Sequence, residues 1–150
     1  MSDYPVLSTQ VIGQAESALG AILGPLLART GTTFNQWLVL TVTAASGSAI
    51  DRDQLIERIT GARKIDAHQV ETAISELAAA GLVLDETRVG LTEAGQARYH
   101  EIRADLGDIT ARLFGDFPPE DLATAGRVLA IVTARANAEL ADHSTELSWA

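Results

Sequence analysis

Cysteine is absent from the 150 residues, so no disulfide, thiolate metal site or cysteine nucleophile is open to this chain, and a reducing cytoplasm is the compartment that fits. Aromatic residues are scarce: three Phe, two Trp and two Tyr. Cations are scarce as well, with 11 Lys plus Arg against 20 Asp plus Glu and a formal charge of −9 at pH 7. A field of that sign repels phosphate and anionic headgroups. It excludes indiscriminate binding to nucleic acid or lipid, and any DNA contact has to come from a local patch. No secretory leader is expected, because the start Met1-Ser2-Asp3-Tyr4-Pro5 is acidic where a leader is basic. The longest nearly uncharged stretch, Val6 to Ala28, is broken by Gln10, Gln14, Glu16 and Pro25. It reads as a helix packed on protein, and no membrane partner is expected.

What is present is enough apolar material for a core: 47% of residues are hydrophobic, and the length is that of one domain, 1–150. Helix starts are marked by side chains able to satisfy the free N–H groups of a first turn. Thr33-Phe34-Asn35-Gln36 predicts a helix through about Ala45, Asp51-Arg52-Asp53-Gln54 one through about Thr60, and Asp66-Ala67-His68-Gln69 one ending before Gly81. Leu82-Val83-Leu84 and Arg88-Val89-Gly90-Leu91 flank Asp85-Glu86-Thr87 as a compact hairpin. Thr92 then caps a long helix that ends at Gly115, and Pro118-Pro119-Glu120-Asp121 opens a last helix to about Ala141, with a frayed tail beyond Asp142 that includes Trp149.

Residues 33–92 hold a small core of their own. The flanking helices, 5–29 and 93–141, are too long and too apolar for that core to cover. In the last helix Leu122, Ala125, Leu129, Val132, Ala136 and Leu140 recur at spacings of three and four. Such a surface fits either an intramolecular bundle or a dimer interface. Separation of the two ends by a compact unit favours the dimer.

Helix, helix, short turn, helix and hairpin is the layout of a winged helix-turn-helix. The chain resembles the MarR family of transcriptional regulators through Thr32-Thr33-Phe34-Asn35-Gln36-Trp37-Leu38-Val39-Leu40, the stretch Val70 to Val83, and Leu91-Thr92-Glu93-Ala94-Gly95. The resemblance implies a mainly α fold with a helical dimerisation region from both chain ends, and a homodimer on a pseudo-palindromic operator in double-stranded DNA. It further implies that the helix over Asp66–Ala80 enters the major groove, that the wing reaches toward the minor groove, and that a small aromatic effector binds between the two regions.

On that helix Val70, Ile74 and Leu77 form the buried stripe, which leaves His68, Thr72 and Ser75 opposite, beside Gln69, Glu71 and Glu76. Gln, Thr, Ser and His can all read base edges. No Lys or Arg lies there, and Thr72 stands where relatives frequently have arginine. Residues 31–65 form the only net-positive segment, through Arg52, Arg58, Arg63 and Lys64. The phosphate contacts are therefore expected from Arg52, Arg63, Lys64 and the wing's Arg88. Thr60 to Ile65 reads as a turn about three residues longer than the family's. The wing reads as short, with Arg88 its one cation.

Phe34, Trp37 and Tyr99 could line an effector pocket, although Phe34 and Trp37 three residues apart also fit core packing. Pro25 after Gly24 is placed to bend the first helix nearby. His68, His100 and His143 are too scattered for a metal, and no phosphate loop or nucleophile elbow occurs. No enzyme, metal or cofactor is expected. The reading that results is a cytoplasmic repressor released by a ligand. The alternative is a dimeric interaction or ligand-binding module of the same fold with weak DNA affinity.

Overall fold

The computed structural model describes the backbone of residues 4–148 and the side chains of residues 4–142; Met1 to Asp3, Trp149 and the side chain of His143 lie outside the described residues. The elements run α1 (Thr9–Ala28), α2 (Phe34–Ala45), β1 (Ala49–Asp51), α3 (Arg52–Arg63), α4 (Ala67–Ala79), β2 (Val83–Asp85), β3 (Arg88–Leu91), α5 (Glu93–Phe114) and α6 (Pro119–Ser148). They pack as two compact units, one up to Asp108 and one from Ile109 onward.

Local chemistry accounts for the helix starts. Thr33 Oγ1 accepts from Gln36 N at 3.1 Å while Gln36 Oε1 accepts from Thr33 N at 3.1 Å. Asp66 and Gln69 repeat this reciprocal arrangement at α4. Asp51 accepts from Asp53 N and Gln54 N, without the return bond. Helix α1 starts at Thr9, later than the sequence reading has it, because Ser8 caps Val11 N.

Two boundaries differ further. Helix α3 runs through Gly61 to Arg63 and stops where Lys64 takes a left-handed conformation with φ 58°, so Lys64, Ile65 and Asp66 alone join it to α4. The long turn expected over Thr60 to Ile65 is therefore absent: burial of Leu55 and Ile59 holds the helix together past a glycine that costs about 1 kcal/mol. Helix α6 continues to Ser148 rather than ending near Ala141.

The sheet has three strands in the order β1-β3-β2, all antiparallel, where a two-stranded hairpin was expected. Ile50 pairs with Val89, and Asp85 pairs with Val89 from the other side. The core lies among α2, α3, α4 and this sheet, with Leu40, Leu55, Ile74, Leu77 and Val89 at no more than 1% exposure. Each such aliphatic side chain contributes about 1.5–3 kcal/mol by burial. Helix α5 approaches this core most tightly at Gly95. Gly95 packs against the backbone of Leu82 so tightly that a Cβ there would lie 1.9 Å from Leu82 O. Thr92 frames the junction, its hydroxyl donating to Gly81 O at 2.7 Å and accepting from Gly95 N at 3.0 Å.

Helix α1 is long and apolar enough to cross a membrane by length and composition alone. Its last turns belong to the protein, since Leu26 and Leu27 are buried. Earlier along it, Leu19 and Ile22 are exposed. None of the described side chains of α6 is buried.

Candidate functional site

Helix α4 presents the polar face that its sequence pattern predicts. With Val70, Ala73, Ile74 and Leu77 buried, His68, Gln69, Thr72 and Ser75 are exposed. These side chains have the donors and acceptors to read a major groove. Gln69 is the constrained member, because its amide oxygen closes the cap on Asp66 N at 3.2 Å and only its NH2 remains to point outward. Glu76 is exposed and Glu71 half-buried on the same helix.

The cations divide by what holds them. Arg63 and Lys64 are exposed immediately ahead of α4. The Arg63 guanidinium stacks 4.8 Å from the centre of the Phe34 ring, which fixes its position without neutralising its charge. Lys64 Nζ donates to Gly61 O, folding back over the end of α3. Arg52 differs. Its Nε lies 3.0 Å from Asp85 Oδ1, so the start of α3 is tied to β2 and most of the charge expected to meet phosphate is balanced. Both side chains are about a third exposed, which limits the pair to less than about 1 kcal/mol of stability. Arg88 is exposed, and its Nη2 donates to Ala49 O at 3.3 Å, toward β1 rather than toward the tip of the wing.

The three aromatic residues do not form one group. Trp37, 8% exposed, stacks on Tyr99 with ring centres 5.6 Å apart and planes 24° from parallel. Phe34, one turn before Trp37, carries Arg63 instead. What sequence reasoning missed is the cation beside the stacked pair: Arg103 Nη1 donates to the Tyr99 hydroxyl at 2.7 Å, and His100 meets the Tyr99 ring edge-on. The signal was present as the i, i+4 spacing of Tyr99 and Arg103 on one helix. Arg98, half-buried, donates to Thr30 O at 2.9 Å and anchors α5 to the chain between α1 and α2.

Solved structures share this architecture. Ligand-free NadR matches with a TM-score of 0.72 at 22% identity, over 87% of this chain and 99% of NadR. CouR from Rhodococcus jostii RHA1, bound to p-coumaroyl-CoA, matches with 0.71 at 15% identity, over 81% of this chain and 88% of CouR. A MarR family transcriptional regulator from Streptomyces coelicolor matches with 0.68 at 19% identity, over 85% of this chain and 91% of the regulator. This chain has the MarR winged-helix fold. No protein-family model and no curated protein matches the sequence. Within the MarR fold, α3 and α4 form the helix-turn-helix and β2–β3 the wing, whose strands are joined by Glu86 and Thr87 alone. A wing this short, with one arginine turned toward β1, offers little to a minor groove.

Proposed function

We propose that this protein is a cytoplasmic, non-enzymatic MarR-type transcriptional regulator. In this reading it is a homodimeric repressor that binds a pseudo-palindromic operator through α4 and releases it when a small aromatic ligand binds. The observation that carries the reading is the exposed polar face of α4 directly preceded by two exposed cations, Arg63 and Lys64. A neutral reading face contributes selectivity, while the cations and the N–H groups at the start of α4 supply attraction for phosphate. A twofold dimer places two such faces at matching half-sites.

The exposed apolar residues of α1 and those of α6 support dimerisation, because a homodimer would cover them. Ligand control draws on the Trp37–Tyr99 stack with Arg103 at its side, a combination suited to a phenolic or carboxylic aromatic. NadR with 4-hydroxyphenylacetate, of the same fold, is consistent with that class.

Titrating a labelled duplex from upstream of the gene at several salt concentrations tests the proposal. Tight, salt-sensitive and sequence-dependent binding is the expected result. A stable dimer without such binding would favour the interaction-module reading, which draws support from the balanced charge of Arg52 and the lack of cations on α4. Quenching of tryptophan fluorescence by aromatic acids, compared with Trp37→Phe, tests the ligand step.

A further inference from the structure

Outside the face of α4, the winged unit carries a second feature that can bind an anion. A polar groove of about 350 Å3 opens beside β1, between the end of α2, the first turns of α3 and Arg88 of β3. Among the described residues strand β1 pairs only with β3, so its other edge faces this groove rather than a neighbouring strand. Two guanidinium groups flank the opening. Arg58 Nη1 donates to Ser46 Oγ at 3.2 Å, and Arg88 Nη2 donates to Ala49 O at 3.3 Å. Each bond is to a neutral acceptor and uses one of the five N–H donors a guanidinium carries. Neither arginine has a carboxylate partner among the described residues. The acid in the groove is Asp51, whose Oδ1 faces the first turn of α3, accepting from Asp53 N at 3.0 Å and Gln54 N at 3.2 Å.

The geometry points to a seat for one phosphodiester of the DNA backbone, held between Arg58 and Arg88. Two guanidinium groups on different elements suit a tetrahedral group with oxygens pointing several ways, whereas a planar carboxylate is satisfied by one of them. Two cations against one carboxylate leave a single positive charge, which matches a diester monoanion. The groove is open and larger than a lone phosphate needs. It therefore fits a phosphate carried past it on a sugar chain better than a free ion that must lose its water. On a chain of charge −9, two arginines without acidic partners on one concavity form a local attraction of the kind that DNA contact requires. The seat gives the phosphate contact expected of Arg88 a definite place and adds Arg58 to the interface. It rests on the DNA-binding reading above.

The test uses the full-length protein and the upstream duplex. Arg58→Gln and Arg88→Gln should each lower the log–log salt slope by about one. Because both hold the same phosphate, the double variant should lose no more than about that one unit, and the affinity losses should be less than multiplicative. Arg58→Lys should keep the slope while weakening binding. Unchanged melting temperatures establish that the variants fold. A double variant whose slope falls by about two would assign the arginines to separate phosphates and overturn the shared seat. An unchanged slope in Arg58→Gln, with the expected loss in Arg63→Ala, would overturn the seat and leave the DNA reading standing. No binding by the parent protein would remove both. A rise in melting temperature with inorganic phosphate that disappears in the double variant, with no change in DNA slope, would assign the groove to a free anion instead.

Discussion

Helices α4 and α6 are both amphipathic by sequence, yet α4 buries four of its 13 residues, while no described side chain of the 30-residue α6 is buried. Periodicity selects the face of a helix that avoids water. It does not say whether that face meets the same chain or another one. In α4 the apolar stripe meets α2, α3 and β2, so the polar side is fixed outward. In α6, Leu129 and Val132 are 38% and 40% exposed, and no described side chain of the same chain buries that face.

Four variants break or sharpen this contrast. The largest effect is expected inside the well-covered region. Gly95→Ala should destabilise the protein by about 3 kcal/mol or more, because the added methyl collides with the Leu82 carbonyl and the backbone must move; chemical denaturation measures it. On the uncovered helix, Leu129→Glu with Val132→Glu should abolish the dimer in sedimentation while preserving helical circular dichroism. Dimerisation retained in that variant would mean the apolar face of α6 is not the interface. Across the reading surface, Arg63→Ala with Lys64→Ala should weaken DNA binding for all sequences and lower the salt slope by about one to two. Smallest is Thr43→Val. The Thr43 hydroxyl is fully buried and lacks a hydrogen-bond partner among the described residues, so an isosteric methyl should raise stability by about 1 kcal/mol in the same denaturation experiment.

The candidate interface was legible where its logic is local. His68, Thr72 and Ser75 lie opposite Val70, Ile74 and Leu77 by helical spacing alone, and their exposure follows. It was not legible where a charge is balanced from a distance. Arg52 and Arg63 are equivalent as letters, but one meets Asp85 on a strand 33 residues away and the other meets the ring of Phe34. Likewise the grouping of Phe34 with Trp37 rested on spacing along α2, whereas the rings are sorted by what α3 and α5 bring to them.

By itself the sequence determined where α2, α3, α4 and α5 begin. Thr33, Asp51, Asp66 and Thr92 satisfy free N–H groups two or three residues ahead, an interaction closed within one turn and therefore written in the spacing. Only the tertiary structure decided that Ala49–Asp51 is a strand, because three residues carry no periodicity and their pairing lies with Arg88–Gly90, far along the chain. It also decided which arginines stay free of carboxylates, since that depends on non-local packing. Hydrogen bonds within a turn are specified by the residues that make them; contacts between distant elements are specified only once the core has set those elements side by side.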